Sequence, residues 1–198
     1  MVESVELPVQ PIQWLGLPRD YLQPGEMEAL VALVRSIKAE SMVEFGCRNG
    51  RTARVLLHNV ATLNRYIGVD VPWGYRPGLP QQRAEMVMRP GWLMRKDPRF
   101  ELVLPDRGTL DLEPQDFQPV DAVFIDGDHS QRVVAHDSRL AQAIVRPGGL
   151  VVWHDYLNQD VNDVTLVIDE LIGNGWPIRV VTGTWLAFMH KARENLDD

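Results

Sequence analysis

Apolar residues fall along this chain in two rhythms. From Gly25 the run EMEALVALVRSIKAE puts Met27, Leu30, Val31, Val34 and Ile37 on one face of a helix, with Glu26 and Glu28 near its positive N-terminal end. Short apolar runs then recur as SMVEFG, RYIGVDV, RFELVL, VDAVFID, GLVVWHD, PIRVVTG and TWLAFMH, and each reads as a strand. Between the first five lie segments long enough for crossover helices, such as RTARVLLHNVATL and SQRVVAHDSRLAQAIV. The expected architecture is therefore an α/β fold, doubly wound and Rossmann-like, with a mostly parallel seven-stranded sheet. Too few residues around Gly183 separate the last two runs for a crossover, so the final strand should turn back as an antiparallel hairpin partner. The segment DVTLVIDELIGNG before them reads as a helix ended by Gly173 or Gly175. Residues 1–24 carry several prolines and little period, which suggests an irregular arm; residues 25–198 form the domain.

Composition narrows the function without naming it. A chain of 198 residues, 45% hydrophobic and 24% charged, has material for one full core. A formal net charge of -7 opposes any broad basic face tracking phosphates, so nucleic acid is not an expected partner and a small molecule is. The lone Cys47 rules out an internal disulfide framework. The opening MVESVELPVQ has neither a basic leader nor an apolar run of signal length, and no stretch approaches the ~20 apolar residues that span a bilayer. A cytoplasmic protein free of membranes is expected.

Three strand ends carry the candidate chemistry, because ligands of such sheets bind outside the carboxyl ends of the strands. The first is Glu44-Phe45-Gly46-Cys47-Arg48-Asn49-Gly50, where glycines let the backbone turn sharply and free N–H groups at the helix start can face a carboxylate. The second is Asp70, about 20 residues beyond that turn by the spacing of ribose-binding acids in dinucleotide folds. The Glu-x-Gly-x-x-x-Gly spacing departs from the pyrophosphate pattern, which weakens a dinucleotide. The third joins Asp126-Gly127-Asp128-His129 to His154-Asp155-Tyr156. If their strands are neighbours, Asp126, Asp128, His129, His154 and Asp155 share one rim and several of them can share a divalent cation. Carboxylates suit Mg²⁺, Ca²⁺ or Mn²⁺; two histidines admit Zn²⁺, Ni²⁺ or Fe²⁺. The plainer reading makes Asp128 and Asp155 loop caps and His154 a packing residue.

Taken together, the Glu44 to Gly50 loop, Asp70, IDGDH, RPGG with a strand ending WHD, and the closing TGTWLAFMHK resemble the class I S-adenosylmethionine-dependent methyltransferases. The resemblance runs from about Ser41 to Lys191 and is closest to the small branch that includes metal-assisted sugar O-methyltransferases. It implies that Glu44, Gly46, Cys47 and Gly50 hold the methionine end of S-adenosylmethionine and that Asp70 holds its ribose. The loop containing Gly108 would lie near adenine. Asp126 falls where relatives place both a cofactor contact and a metal ligand, Asp155 where they place a second metal-ligand carboxylate, and His129 where a general base is proposed. Where many metal-binding relatives carry an acidic pair, this chain has His154-Asp155, so Mg²⁺ or another divalent cation stays open.

The remaining candidates read blandly. His136 and Asp137 suggest a surface or packing role, His58 and His190 structural ones, and Cys47 a small filler without a base beside it. Trp73 and Tyr75 can stack on a ligand or pack their loop; Tyr156 is a candidate for the lining of the acceptor pocket. Specificity is expected in the arm and in Val71 to Arg95, and the arm can pack against a second subunit in a homo-oligomer. Two rival classes share these residues: a metal-dependent hydrolase built on the Asp/His rim, and a nucleotide-binding module that keeps the fold without transfer.

Overall fold

A computed structural model describes residues 2–77, 80–84 and 86–193 of the chain. Its strands are β1 (Glu3–Val5), β2 (Ser41–Phe45), β3 (Arg65–Val69), β4 (Phe100–Val103), β5 (Val120–Ile125), β6 (Val145–Trp153), β7 (Arg179–Val181) and β8 (Ala187–His190). Among the described residues four α-helices accompany them: α1 (Glu26–Ser36), α2 (Arg51–Asn59), α3 (Gln131–Ile144) and α4 (Asn162–Gly173). They make one eight-stranded sheet in the order β1-β7-β8-β6-β5-β2-β3-β4. The strand β8 runs antiparallel to both β7 and β6, as its short connection requires, and the other pairings are parallel. The eighth strand comes from the arm, where Glu3–Val5 pairs with β7 and extends the sheet beyond the seven that hydrophobic runs announce.

Strand residues alternate between two cores because both faces are covered. Val43, Phe45, Val123, Ile125, Val151 and Trp153 pack toward α3 and α4. Met42, Ala122, Phe124, Leu150 and Val152 pack toward α1 and α2. Burial on both faces explains why these strands read as continuous apolar runs instead of alternating ones.

Two crossovers lack the expected helices. The connection from β3 to β4 contains a single short 3-10 turn, Pro80–Ala84, among its described residues, and the connection from β4 to β5 contains two, Gly108–Asp111 and Pro114–Asp116. Pro72, Gly74, Pro77 and Pro90 cannot sustain a helix ladder, so the first of these segments runs as a loop over the sheet's carboxyl end. Positions 78, 79 and 85 of this expected specificity stretch lie outside the described residues. The Pro147-Gly148-Gly149 turn is absorbed into β6 as an irregularity between its pairings at Val120 and Ala122. No helix among the described residues is long and apolar enough to cross a membrane.

The chain starts its doubly wound part at β2, moves outward through β3 and β4, and returns to β5 on the other side of β2. The reversal between β2 and β5 opens a crevice at their carboxyl ends. Gly46 and Asp126 are the first residues beyond those two strands.

Candidate functional site

The wall between β2 and β5 admits no side chain at Gly46. Its φ is 90°, and a Cβ there would lie 2.0 Å from the Asp126 carbonyl oxygen. The Asp126 N–H donates to the Phe45 carbonyl at 2.8 Å and the Gly46 N–H to the Val69 carbonyl at 2.8 Å, so three strand ends meet at this glycine. The chain then passes Arg48 at a left-handed φ of 47° and enters α2 from Gly50, φ 84°.

This turn delivers the Arg48 N–H to one oxygen of Asp70, while the Val71 N–H donates to the other at 2.7 Å. Burial nevertheless pushes Asp70 up to about 6, with those two N–H groups working in the opposite direction. The Cys47 thiol also donates to this carboxyl, which keeps acceptor capacity for a ligand hydroxyl. The Cys47 thiol is buried, and burial and the nearby Glu44 and Asp70 push its pKa up, which makes it a filler and a poor nucleophile. Glu44 is 1% exposed and accepts a hydrogen bond from the Tyr66 hydroxyl at 2.9 Å. Burial pushes it up to about 8 despite that bond.

At the ends of β5 and β6 the acids and histidines converge. His154 directs Nδ1 at Asp126 Oδ1 and Asp155 Oδ2, both at 3.1 Å, and Nε2 at Glu26 Oε2 at 3.0 Å. Burial favours a neutral ring, but Asp126, Asp155 and Glu26 outweigh it and hold His154 protonated well above the ordinary histidine range. Burial likewise opposes ionisation of Asp126, and the facing His154 and His129 overcome it and keep that carboxyl below the usual carboxylate range. The His129 Nε2 lies 3.2 Å from Asp155 Oδ2 and 3.7 Å from Asp126 Oδ1 without an aligned hydrogen bond at either ring nitrogen. Burial lowers its affinity for a proton and the two carboxylates raise it, with the balance above the ordinary value. Asp155 holds a left-handed φ of 62° and accepts from Asn158 Nδ2 at 2.6 Å. A non-glycine residue kept in that conformation beside a site is strain that the surroundings must over-determine.

The expected rim divides. Asp128 turns away from the cluster, accepting the Tyr75 hydroxyl at 3.0 Å and the Ser130 N–H at 2.9 Å. Tyr156 also turns away, donating its hydroxyl to Asp169 on α4 at 2.8 Å. Asp126, His154 and Asp155 each offer one ligand atom, and these atoms lie within 4.8 Å of one another.

Two cavities flank the Gly46–Asp126 wall and share both residues, with Arg48, Gln82 and Gly127 also common to them. The smaller, of about 130 Å³, is lined by Asp70, Val71, Gly108, Thr109, Val133 and Asp137. The larger, of about 330 Å³, takes in Glu44, Cys47, Arg51, His129, His154 and Asp155. Gly50 lines neither; its contribution is the backbone turn that starts α2.

A family model described as a methyltransferase domain matches residues 43–156, from β2 through the Asp/His cluster. The chain belongs to this family of methyltransferase domains. Solved structures share the fold. Rv0187 of MTB, solved with its cofactor, superposes with a TM-score of 0.59 at 23% identity, covering 91% of this methyltransferase and 85% of that chain. An O-methyltransferase of Bacillus cereus in complex with S-adenosylhomocysteine gives 0.60 at 18% identity over 90% and 86%. The O-methyltransferase TomG of Streptomyces achromogenes, involved in tomaymycin synthesis and solved with S-adenosylmethionine, gives 0.60 at 17% identity over 94% and 92%. No curated protein matches this methyltransferase by sequence.

Two acids of the site escape strand-end motifs. Glu26 is the first residue of α1, is 1% exposed, and accepts the Gln23 N–H at 2.9 Å and the Trp185 N–H at 2.6 Å besides facing His154. Asp137 on α3 is likewise 1% exposed. One signal was available for both. Glu26 precedes Leu30 by one turn and Asp137 precedes Leu140 and Ala141 by one, so each acid interrupts the buried stripe of its helix.

Proposed function

We propose that this methyltransferase carries a methyl group from S-adenosylmethionine to a hydroxyl oxygen of a small molecule, with a divalent cation assisting at Asp126, His154 and Asp155. The observation that carries the reading is the pair of cavities joined across the Gly46–Asp126 wall, one ending in Asp70 and the other in the His129 cluster. S-adenosylmethionine supplies a sulfonium methyl group that an acceptor oxygen takes by in-line displacement, so alignment is most of what the protein must add.

The residues present fit that cofactor. Asp70 lines the smaller cavity with acceptor capacity for ribose hydroxyls, and that cavity accommodates the base near Gly108. Glu44, a buried carboxyl lining the larger cavity, suits the methionine ammonium group. Arg51 lines the same cavity with a buried Nε that has no hydrogen-bond partner among the described residues, and suits the methionine carboxylate. Gly46 keeps the wall thin enough for one ligand to pass from one cavity to the other. Cys47 fills the turn beneath.

His129 faces the larger cavity and is the group placed to take the acceptor's proton. Its flanking carboxylates raise its affinity for a proton, which strengthens the neutral ring as a base, and they hold His154 protonated. The donor set fits a cation as well: two carboxylates and an imidazole whose far nitrogen meets the Glu26 carboxylate, the orienting partner that metal-bound histidines ordinarily have. Such a cation would lower the acceptor hydroxyl's pKa. Proton and cation are rivals for the same carboxylates, so cation binding would release protons. The net charge of -7 supports a small-molecule acceptor over nucleic acid, and the buried free thiol of Cys47 supports a cytoplasmic setting. The test is transfer of labelled methyl from S-adenosylmethionine to a panel of hydroxylated acceptors, with and without chelator. Transfer that chelation abolishes supports the whole reading; transfer that survives removes the cation alone; retention of cofactor without transfer to any acceptor contradicts the catalytic reading.

A further inference from the structure

Asp137 is a buried acid that the transfer chemistry leaves unused. Neither of its carboxyl oxygens has an aligned hydrogen-bond partner among the described residues. Burial pushes its pKa up to about 8, and the neighbouring Thr109 side chain offsets only part of that. A buried polar group without a partner is costly, and in a native protein it calls for an explanation. Here the carboxyl belongs to the lining of the smaller cavity, across the wall from His129 and Asp155.

The chemistry of that cavity is specific. Val69, Val71, Val87 and Val133 give it apolar walls, and Asp70 marks one end. At about 130 Å³ it falls below the ~300 to 1,000 Å³ of sites that enclose a whole small ligand, and suits a flat ring system belonging to a larger one. A carboxyl in its acid form offers an O–H donor and a C=O acceptor on adjacent oxygens. Adenine presents the complement, a ring-nitrogen acceptor beside an exocyclic amino donor. Being neutral, the acid form makes this pair without burying a charge.

We propose that the Asp137 carboxyl reads the adenine of the cofactor, donating a hydrogen bond to a ring nitrogen and accepting one from the exocyclic amino group. The inference rests on the reading of the smaller cavity as the adenosine site. Asp137 then contributes to binding and base recognition, and the methyl-transfer step itself lies elsewhere.

The test is calorimetric titration of S-adenosylhomocysteine, and of analogues in which one adenine ring nitrogen is replaced by carbon, into wild type, Asp137→Leu and Asp137→Asn. Asp137→Leu, which abolishes donor and acceptor, should weaken S-adenosylhomocysteine about 10-fold, the usual result of leaving one buried partner unpaired. Asp137→Asn keeps a donor and an acceptor side by side and should bind within about 3-fold of wild type. One carbon-substituted analogue should cost wild type about 10-fold and cost Asp137→Leu nothing, because the two deletions remove the same bond. Unchanged affinity in Asp137→Leu, equal losses in the Leu and Asn variants, or analogue penalties identical in wild type and Asp137→Leu would each overturn the inference. A wild type that binds no S-adenosylhomocysteine overturns the adenosine-site reading and the inference with it, so the two failures are distinguishable.

Discussion

The two cavities of this methyltransferase are built by different means. The smaller one depends on backbone: a glycine without room for a Cβ, a left-handed Arg48, and N–H groups that fix Asp70 within about 25 residues of chain. The larger one depends on side chains gathered from far apart, with His154 facing an acid 128 positions away. Backbone geometry tolerates few substitutions, whereas a cluster of charges can lose a member and keep its fold. Binding should therefore fail through strain on one side, and chemistry through charge on the other.

The largest effect expected from this contrast is at Gly46. An alanine Cβ would lie 2.0 Å from the Asp126 carbonyl oxygen and 2.6 Å from the Gly127 Cα, atoms of backbone that cannot swing aside. Gly46→Ala should lose at least ~3 kcal/mol of stability in urea denaturation and lose S-adenosylhomocysteine binding with it. Wild-type stability in that variant would show that the strand ends are not held together as described.

In the other cavity, His129→Ala should fold normally, bind S-adenosylhomocysteine within about 3-fold of wild type, and lower turnover by a factor on the order of 10² to 10⁴. Raising the pH should partly restore it, since an acceptor that ionises in solution no longer needs the imidazole. Full activity would remove His129 from the proton transfer. Glu26→Gln separates positioning from ligation: it should weaken divalent-cation binding by about 10- to 100-fold while leaving cofactor binding unchanged. A Glu26→Gln protein with normal cation affinity would reduce Glu26 to a structural tie between α1 and Trp185.

A smaller effect distinguishes the cavities by pH. Asp70 and Glu44 both sit above the ordinary carboxylate range, at about 6 and about 8, so each holds a proton at low pH and sheds it as pH rises. If their ionised forms meet the ribose hydroxyls and the methionine ammonium, affinity for S-adenosylhomocysteine should rise by about 10-fold between pH 5 and pH 8. Asp70→Asn should flatten the lower part of that rise and Glu44→Gln the upper part. An affinity that falls with pH would reverse the assignment.

What could be read from sequence follows the same division. The glycine turn, Asp70, Asp126, His129, His154 and Asp155 were legible because strand ends in such sheets concentrate chemistry and the strands themselves were long, apolar and buried on both faces. Glu26 and Asp137 were not, since a charged residue near a helix end or on a helix is ordinarily solvated; only their places in the apolar stripes gave them away. The split of the rim was also illegible. Whether Asp128 faces the cluster or Tyr75 depends on the conformation of a Pro- and Gly-rich loop that carries no period. β1 escaped for another reason: three residues are too few to show alternation, and their strand character comes from the β7 edge they pair with.

The central claim is that one cofactor spans both cavities while cation chemistry is confined to one. Calorimetric titration of S-adenosylhomocysteine into wild type and Asp70→Ala, each with and without chelator, tests it most directly. The account predicts micromolar binding to wild type, at least ~10-fold weaker binding to Asp70→Ala because two hydrogen bonds to a carboxylate are lost, and no effect of the chelator on either protein. Absence of S-adenosylhomocysteine binding to wild type, or binding of NADH in its place, would contradict it.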